Sequence, residues 1–156
     1  MEFMGLPLHP LVVHAAVVFV PLAALLVIVF AVLPKHRWAT RWPAFLLTLV
    51  SLVTVWVARI SGKSLKEELP GIEQVIATHE ARGELLSLLM IGFTVLVAVG
   101  AWSLGGPSAL ASGRGARDGG VAVLDKVMPA VLVVAALVVL VLVVMTGDAG
   151  TRVVWG

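Results

Sequence analysis

The chain has 156 residues, 60% of them hydrophobic and 13% charged, with a mean hydropathy of +1.09. A water-soluble domain is nearer half apolar and a quarter charged, so the excess here must face something other than water. The net charge of +2, from 11 basic and 9 acidic residues, is too balanced to point to a nucleic-acid partner. The absence of cysteine excludes disulfides, thiolate nucleophiles, iron–sulfur clusters and cysteine-type zinc sites.

Four apolar runs follow one another: Leu11–Leu33, Ala44–Ile60, Leu85–Leu104 and Val127–Met145. Each has the length that spans a bilayer core, for which about 20 helical residues suffice. In hydrocarbon the backbone must satisfy its own hydrogen bonds, so even the valine-rich fourth run is read as a helix. The leader MEFMGLPLHP carries no Lys or Arg, and the first run exceeds a signal-peptide core, so it is expected to be retained. The expected architecture is all-α: an integral membrane four-helix bundle forming a single domain over residues 1–156.

The connections differ. Pro34–Trp42 is short and basic, with two tryptophans. Ser61–Glu84 is longer and acidic, and the segment Gly71–Met90, which overlaps its second part, has Ile72, Val75, Ile76, His79, Gly83, Leu86 and Met90 on one helical face. An amphipathic helical extension over 71–84 is therefore expected, with His79 on its buried side. Residues 105–126 are rich in Gly and Ser and read as a flexible inner loop. Lys and Arg near the membrane set orientation. The first and third connections hold six, the remaining segments five, and the tight first turn has three against none in the leader. This places both termini on the outer, extracytoplasmic face. Trp38, Trp42 and Trp102 then mark the inner interface and Trp155 the outer one. No internal sequence repeat stands out.

That topology gathers polar groups at the outer ends of the helices: His9, His14, His79, Arg59 and Asp148. His36 is left in the inner turn. His9 precedes Pro10 and reads as a cap residue, with His14 about one turn inside the helix. Pro21 is expected to kink the first helix. Thr48, Ser51 and Thr54 step along the second helix and are expected to bond between helices. No ionisable residue lies near a midplane, which speaks against a coupled transporter or proton pump. No hydrolase motif is present, so an enzyme is not expected.

At LHPLVVHAAVVFVPLA the chain resembles a bacterial family of small four-helix membrane proteins, a domain of unknown function. The resemblance runs through Leu8, His9, Pro10, Val13 and His14, then Gly62, His79 and the Gly-rich end TGDAGTRVVWG from Thr146 to Gly156. It implies a multi-pass protein of the bacterial inner membrane, distantly similar to cytochrome b-type membrane proteins. Three functional readings follow. In the first, the protein is an accessory or structural subunit, its outer His cluster hydrogen-bonded, packed in the bilayer against a larger membrane or redox complex. In the second it carries electrons on one b-type haem ligated by His14 and His79, with Gly83 leaving a gap beside the ring and Arg59 meeting a propionate. In the third it holds a divalent metal through His9, His14, His79 and Asp148.

Overall fold

In a computed structural model, the structure describes residues 2–3, 6–69, 71–104 and 122–155. Two short strands, β1 (Glu2–Phe3) and β2 (Leu6–Pro7), pair antiparallel with Glu2 opposite Pro7. Four long helices follow: α1 (Leu8–Val32), α2 (Arg37–Glu68), α3 (Glu73–Ser103) and α4 (Ala122–Trp155). All four are long and apolar enough to cross a membrane.

The helices outrun the apolar runs that mark them. α1 begins at Leu8 rather than near Leu11, because Pro10 falls in the first turn, where its missing N–H would have had no intrahelical partner. Pro21 lies inside α1, and the helix runs unbroken through it. The acidic connection is mostly helix: α2 continues to Glu68 and α3 starts at Glu73, leaving a short link in which Gly71 adopts a φ of 96°. Charges of this stretch join the two helices, Lys66 to Glu80 at 2.7 Å and Arg59 to Glu84. Of the expected inner loop, residues 105–121 lie outside the described residues, while 122–126 already belong to α4.

A short single turn of 3-10 helix, Pro34–His36, links α1 to α2. There Arg37 donates from Nε to the Phe30 carbonyl (3.3 Å) and from a terminal nitrogen to the Ala31 carbonyl (3.0 Å). Carbonyls at the end of α1 thus gain a cationic donor where the helix supplies none.

Packing is a closed square. α1 lies against α2 and α4, and α3 against α2 and α4. Val20, Val27, Phe30, Met90, Val97, Leu132, Ala136 and Val139 fill its centre. Small residues set the helix approach: at Gly100 a Cβ would stand 2.8 Å from Leu132 Cδ1. The outward faces remain apolar, with Leu22, Leu46, Val95 and Val141 among the exposed side chains, as hydrocarbon solvent requires.

Thr48, Ser51 and Thr54 of α2 bond within their own helix. Thr48 donates to Ala44 O and Ser51 to Leu47 O, each at 2.7 Å, and Thr54 turns back to Ser51 O at 2.9 Å. A carbonyl three or four residues earlier is always within reach, so these groups satisfy themselves locally. At one end of the bundle the Trp42 and Trp102 rings meet edge to face at 6.2 Å, and Arg41 lies over Trp42.

Candidate functional site

The opposite end of the bundle combines the starts of α1 and α3 with the ends of α2 and α4, and there two imidazoles meet. His9 and His79 have ring centroids 6.0 Å apart and planes inclined by 78°. They come from helices diagonal to each other, so they face across the middle of the square.

Each ring is held in the same way. His9 Nδ1 lies 2.9 Å from the Ala58 carbonyl of α2, and His79 Nδ1 lies 3.0 Å from the Thr146 carbonyl of α4. A carbonyl oxygen has no proton to give, so Nδ1 donates in both cases. In a neutral ring this fixes the tautomer and leaves Nε2 with its lone pair. No described residue bonds to either Nε2.

The side chain four residues after the accepting carbonyl would obstruct this approach, and at both places it is missing. A Cβ at Gly62 would lie 3.0 Å from His9 Cε1 and 3.1 Å from its Nδ1. At Gly150 it would lie 3.0 Å from His79 Cε1 and 3.1 Å from its Nδ1. The glycines follow Ser61 and Ala149, both small and buried. Ser61 Oγ adds a long contact of 3.5 Å to His9 Nδ1. The two hairpins, α1–α2 and α3–α4, thus present equivalent half-sites.

The other expected site residues fall elsewhere. His14 is exposed on α1 and bonds to the Pro10 carbonyl of its own helix. The position facing His79 is held by His9, one and a half turns earlier. Gly83 does not cradle His79; a Cβ there would meet nothing within 4 Å, and the glycine against that ring is Gly150. Asp148 is exposed and pairs with Arg152 at 3.0 Å. Among the described residues no group of three or more His, Asp or Glu is placed to hold a metal ion, so the four expected metal ligands are not brought together. Arg59, next to Ala58, lies over the Trp56 ring, donates to Ser87 Oγ at 3.0 Å and pairs with Glu84. Arg82 donates to the Met145 carbonyl at 2.8 Å, one residue before the His79 acceptor.

The sequence reading missed His9 as an interior group, and it missed Gly150. The signal available for both was the small pair near the end of each even-numbered helix, Ser61-Gly62 and Ala149-Gly150. No curated protein and no solved structure matches the chain. One family, described as a predicted membrane protein (DUF2231), matches residues 5–156. Its extent and the four packed apolar helices agree, and the chain belongs to this family of multi-pass membrane proteins.

Proposed function

We propose that the bundle binds one b-type haem through His9 and His79 and serves as a membrane electron carrier. The observation that carries this reading is the pair of imidazoles with ring centroids 6.0 Å apart, each with Nδ1 bonded to a backbone carbonyl and Nε2 without a bond to any described residue. A hydrogen bond from the other ring nitrogen is how a protein orients a metal-ligating histidine. The spacing fits. With about 2.0 Å from a metal to each imidazole nitrogen, and roughly 1 Å more to each ring centre, two centroids stand up to about 6 Å apart. The donor set fits as well. A porphyrin supplies four nitrogens and asks the protein for only two, whereas a zinc site wants three or four protein ligands.

When bound, the haem would supply one-electron chemistry. The chain's own contribution is to hold both imidazoles as neutral donors and to keep Arg59 at the same end as a cation for a propionate. The basic turn at the other end favours placing the histidine end on the extracytoplasmic side of a bacterial inner membrane. The test is the absorption spectrum of the protein purified from haem-supplied cells. A Soret band that is lost in His9→Ala and in His79→Ala is the expected result. A protein without a Soret band overturns the reading.

A second reading has its own support in the same bonds. His9 to Ala58 and His79 to Thr146 each join two helices, and that alone gives them a structural role in an accessory subunit of a larger membrane complex. Such a protein would be spectrally silent and would co-purify with one stable partner in mild detergent.

A further inference from the structure

The two ends of the bundle treat their charges differently. At the histidine end, three of the described basic side chains meet carboxylates: Lys66 with Glu80, Arg59 with Glu84 and Arg152 with Asp148. At the other end, residues 34–66 begin with Lys35, Arg37 and Arg41 and contain no Asp or Glu, and residues 85–103 of α3 carry no charge. Positive charge there is not offset by a carboxylate of either helix. Next to it lies an aromatic surface. Trp38 and Trp42, one turn apart on α2, are 52% and 41% exposed, and Trp102 of α3 is 80% exposed. Trp42 bridges the helices, edge to face with Trp102 and also against Phe45. Arg41 lies 5.2 Å over Trp42, and Lys35 is exposed in the turn before Trp38. Farther along, the same sides of the helices are outward and aliphatic, through Leu46, Leu49 and Val53 on α2 and Val99 and Val95 on α3.

From this order of cation, indole and hydrocarbon we infer that the outward α2–α3 face at the tryptophan end seats an anionic phospholipid. Polarity along such a lipid runs the same way, from phosphate through glycerol esters to acyl chain. The lengths agree. At 1.5 Å per helical residue, Trp42 to Val53 covers roughly 16 Å, against about 15 Å for one leaflet's share of the hydrocarbon core. The indoles then sit at the ester level, where a flat apolar ring with an N–H donor is at home. Charge decides the headgroup. A zwitterionic lipid brings its own ammonium beside the phosphate, and neither helix has a carboxylate at this end to receive it. A headgroup with net negative charge matches Lys35 and Arg41 without that conflict. The histidine end, with three of its cations already matched by carboxylates, offers no comparable selection. The inference is independent of what His9 and His79 hold.

The experiment is quenching of tryptophan fluorescence by lipids brominated near the start of their acyl chains. The intact protein is reconstituted in phosphatidylcholine vesicles with rising fractions of brominated phosphatidylglycerol or, separately, of brominated phosphatidylcholine. One basic residue near an anionic surface is worth about a factor of five. The anionic lipid is therefore expected to reach half-maximal quenching at about a fifth, or less, of the mole fraction that the zwitterionic lipid needs. Lys35→Gln should bring the two curves about fivefold closer. Lys63→Gln, at an exposed lysine of the histidine end, should leave them as they are. Trp102→Leu should lose much of the quenching seen at low anionic fraction. Superimposable wild-type curves, the mark of a non-selective lipid shell, overturn the inference. So does a preference that is unchanged in Lys35→Gln or lost in Lys63→Gln. Quenching at low anionic fraction that persists in full in Trp102→Leu places the lipid elsewhere and overturns it as well.

Discussion

Replacing Gly150 by alanine is predicted to destabilise the protein only while His79 is present. The added Cβ would stand 3.0 Å from His79 Cε1, against an ordinary carbon–carbon contact of about 3.5–4.0 Å. The ring must retreat by about half an ångström, which stretches the 3.0 Å bond to Thr146 O to the edge of hydrogen bonding. Losing an interhelical bond in a membrane protein costs about 0.6 kcal/mol on average, and up to about 1.7. Crowding a packed site costs about 1–3 kcal/mol. Against this, alanine is favoured over glycine in a helix by up to about 1 kcal/mol. The net expectation is a loss of about 1–3 kcal/mol. In a His79→Ala background both penalties vanish and only the helical preference remains, so the same substitution should be neutral or stabilising by up to about 1 kcal/mol. Unfolding in mixed detergent micelles, followed by helical circular dichroism, measures all four corners of this cycle. Equal costs in the two backgrounds would refute the idea that Gly150 is a glycine because of the imidazole.

Further outcomes follow from the same packing. Gly100→Ala should cost about 1–3 kcal/mol, because its methyl would lie 2.8 Å from the buried Leu132, whereas Gly92→Ala, with nothing within 4 Å, should be neutral or slightly stabilising in the same micelle assay. Arg37→Ala removes two charge-assisted bonds to the end of α1 and should lower stability by about 1–3 kcal/mol. Glu84→Gln removes the charge from the exposed half of an ion pair whose Arg59 half is mostly covered, and should cost about 1 kcal/mol in the same titration.

The four spans were legible because the bilayer imposes a length and a polarity that composition alone reveals. The interior placement of His79 was legible from the helical face it shares with Leu86 and Met90, although Val75 of the same expected face is exposed. His9 was not, because a histidine before proline reads as a cap outside the helix, and its bond to the Ala58 carbonyl of α2 is a tertiary contact that no local pattern displays. His14 was expected inside by its depth in the helix, yet depth says nothing of azimuth, and it lies away from the core of α1, which runs through Ala16, Val20 and Val27. The start of α3 at Glu73 was legible from its amphipathic face, whereas the extension of α2 to Glu68 was hidden, because it is held by cross-helix pairs such as Lys66–Glu80 that no local pattern displays. The equivalence of the two hairpins escaped notice for a similar reason. It resides in two histidines, two glycines and two backbone carbonyls whose neighbours in sequence share little.

The most direct test is a titration of haemin into the purified apoprotein in nanodiscs, repeated for His9→Ala, His14→Ala and His79→Ala. A Soret transition saturating at one haem per chain, abolished in the His9 and His79 variants and retained in the His14 variant, is the predicted result. Saturable binding that survives in both the His9 and His79 variants, or that disappears only in the His14 variant, would contradict the account.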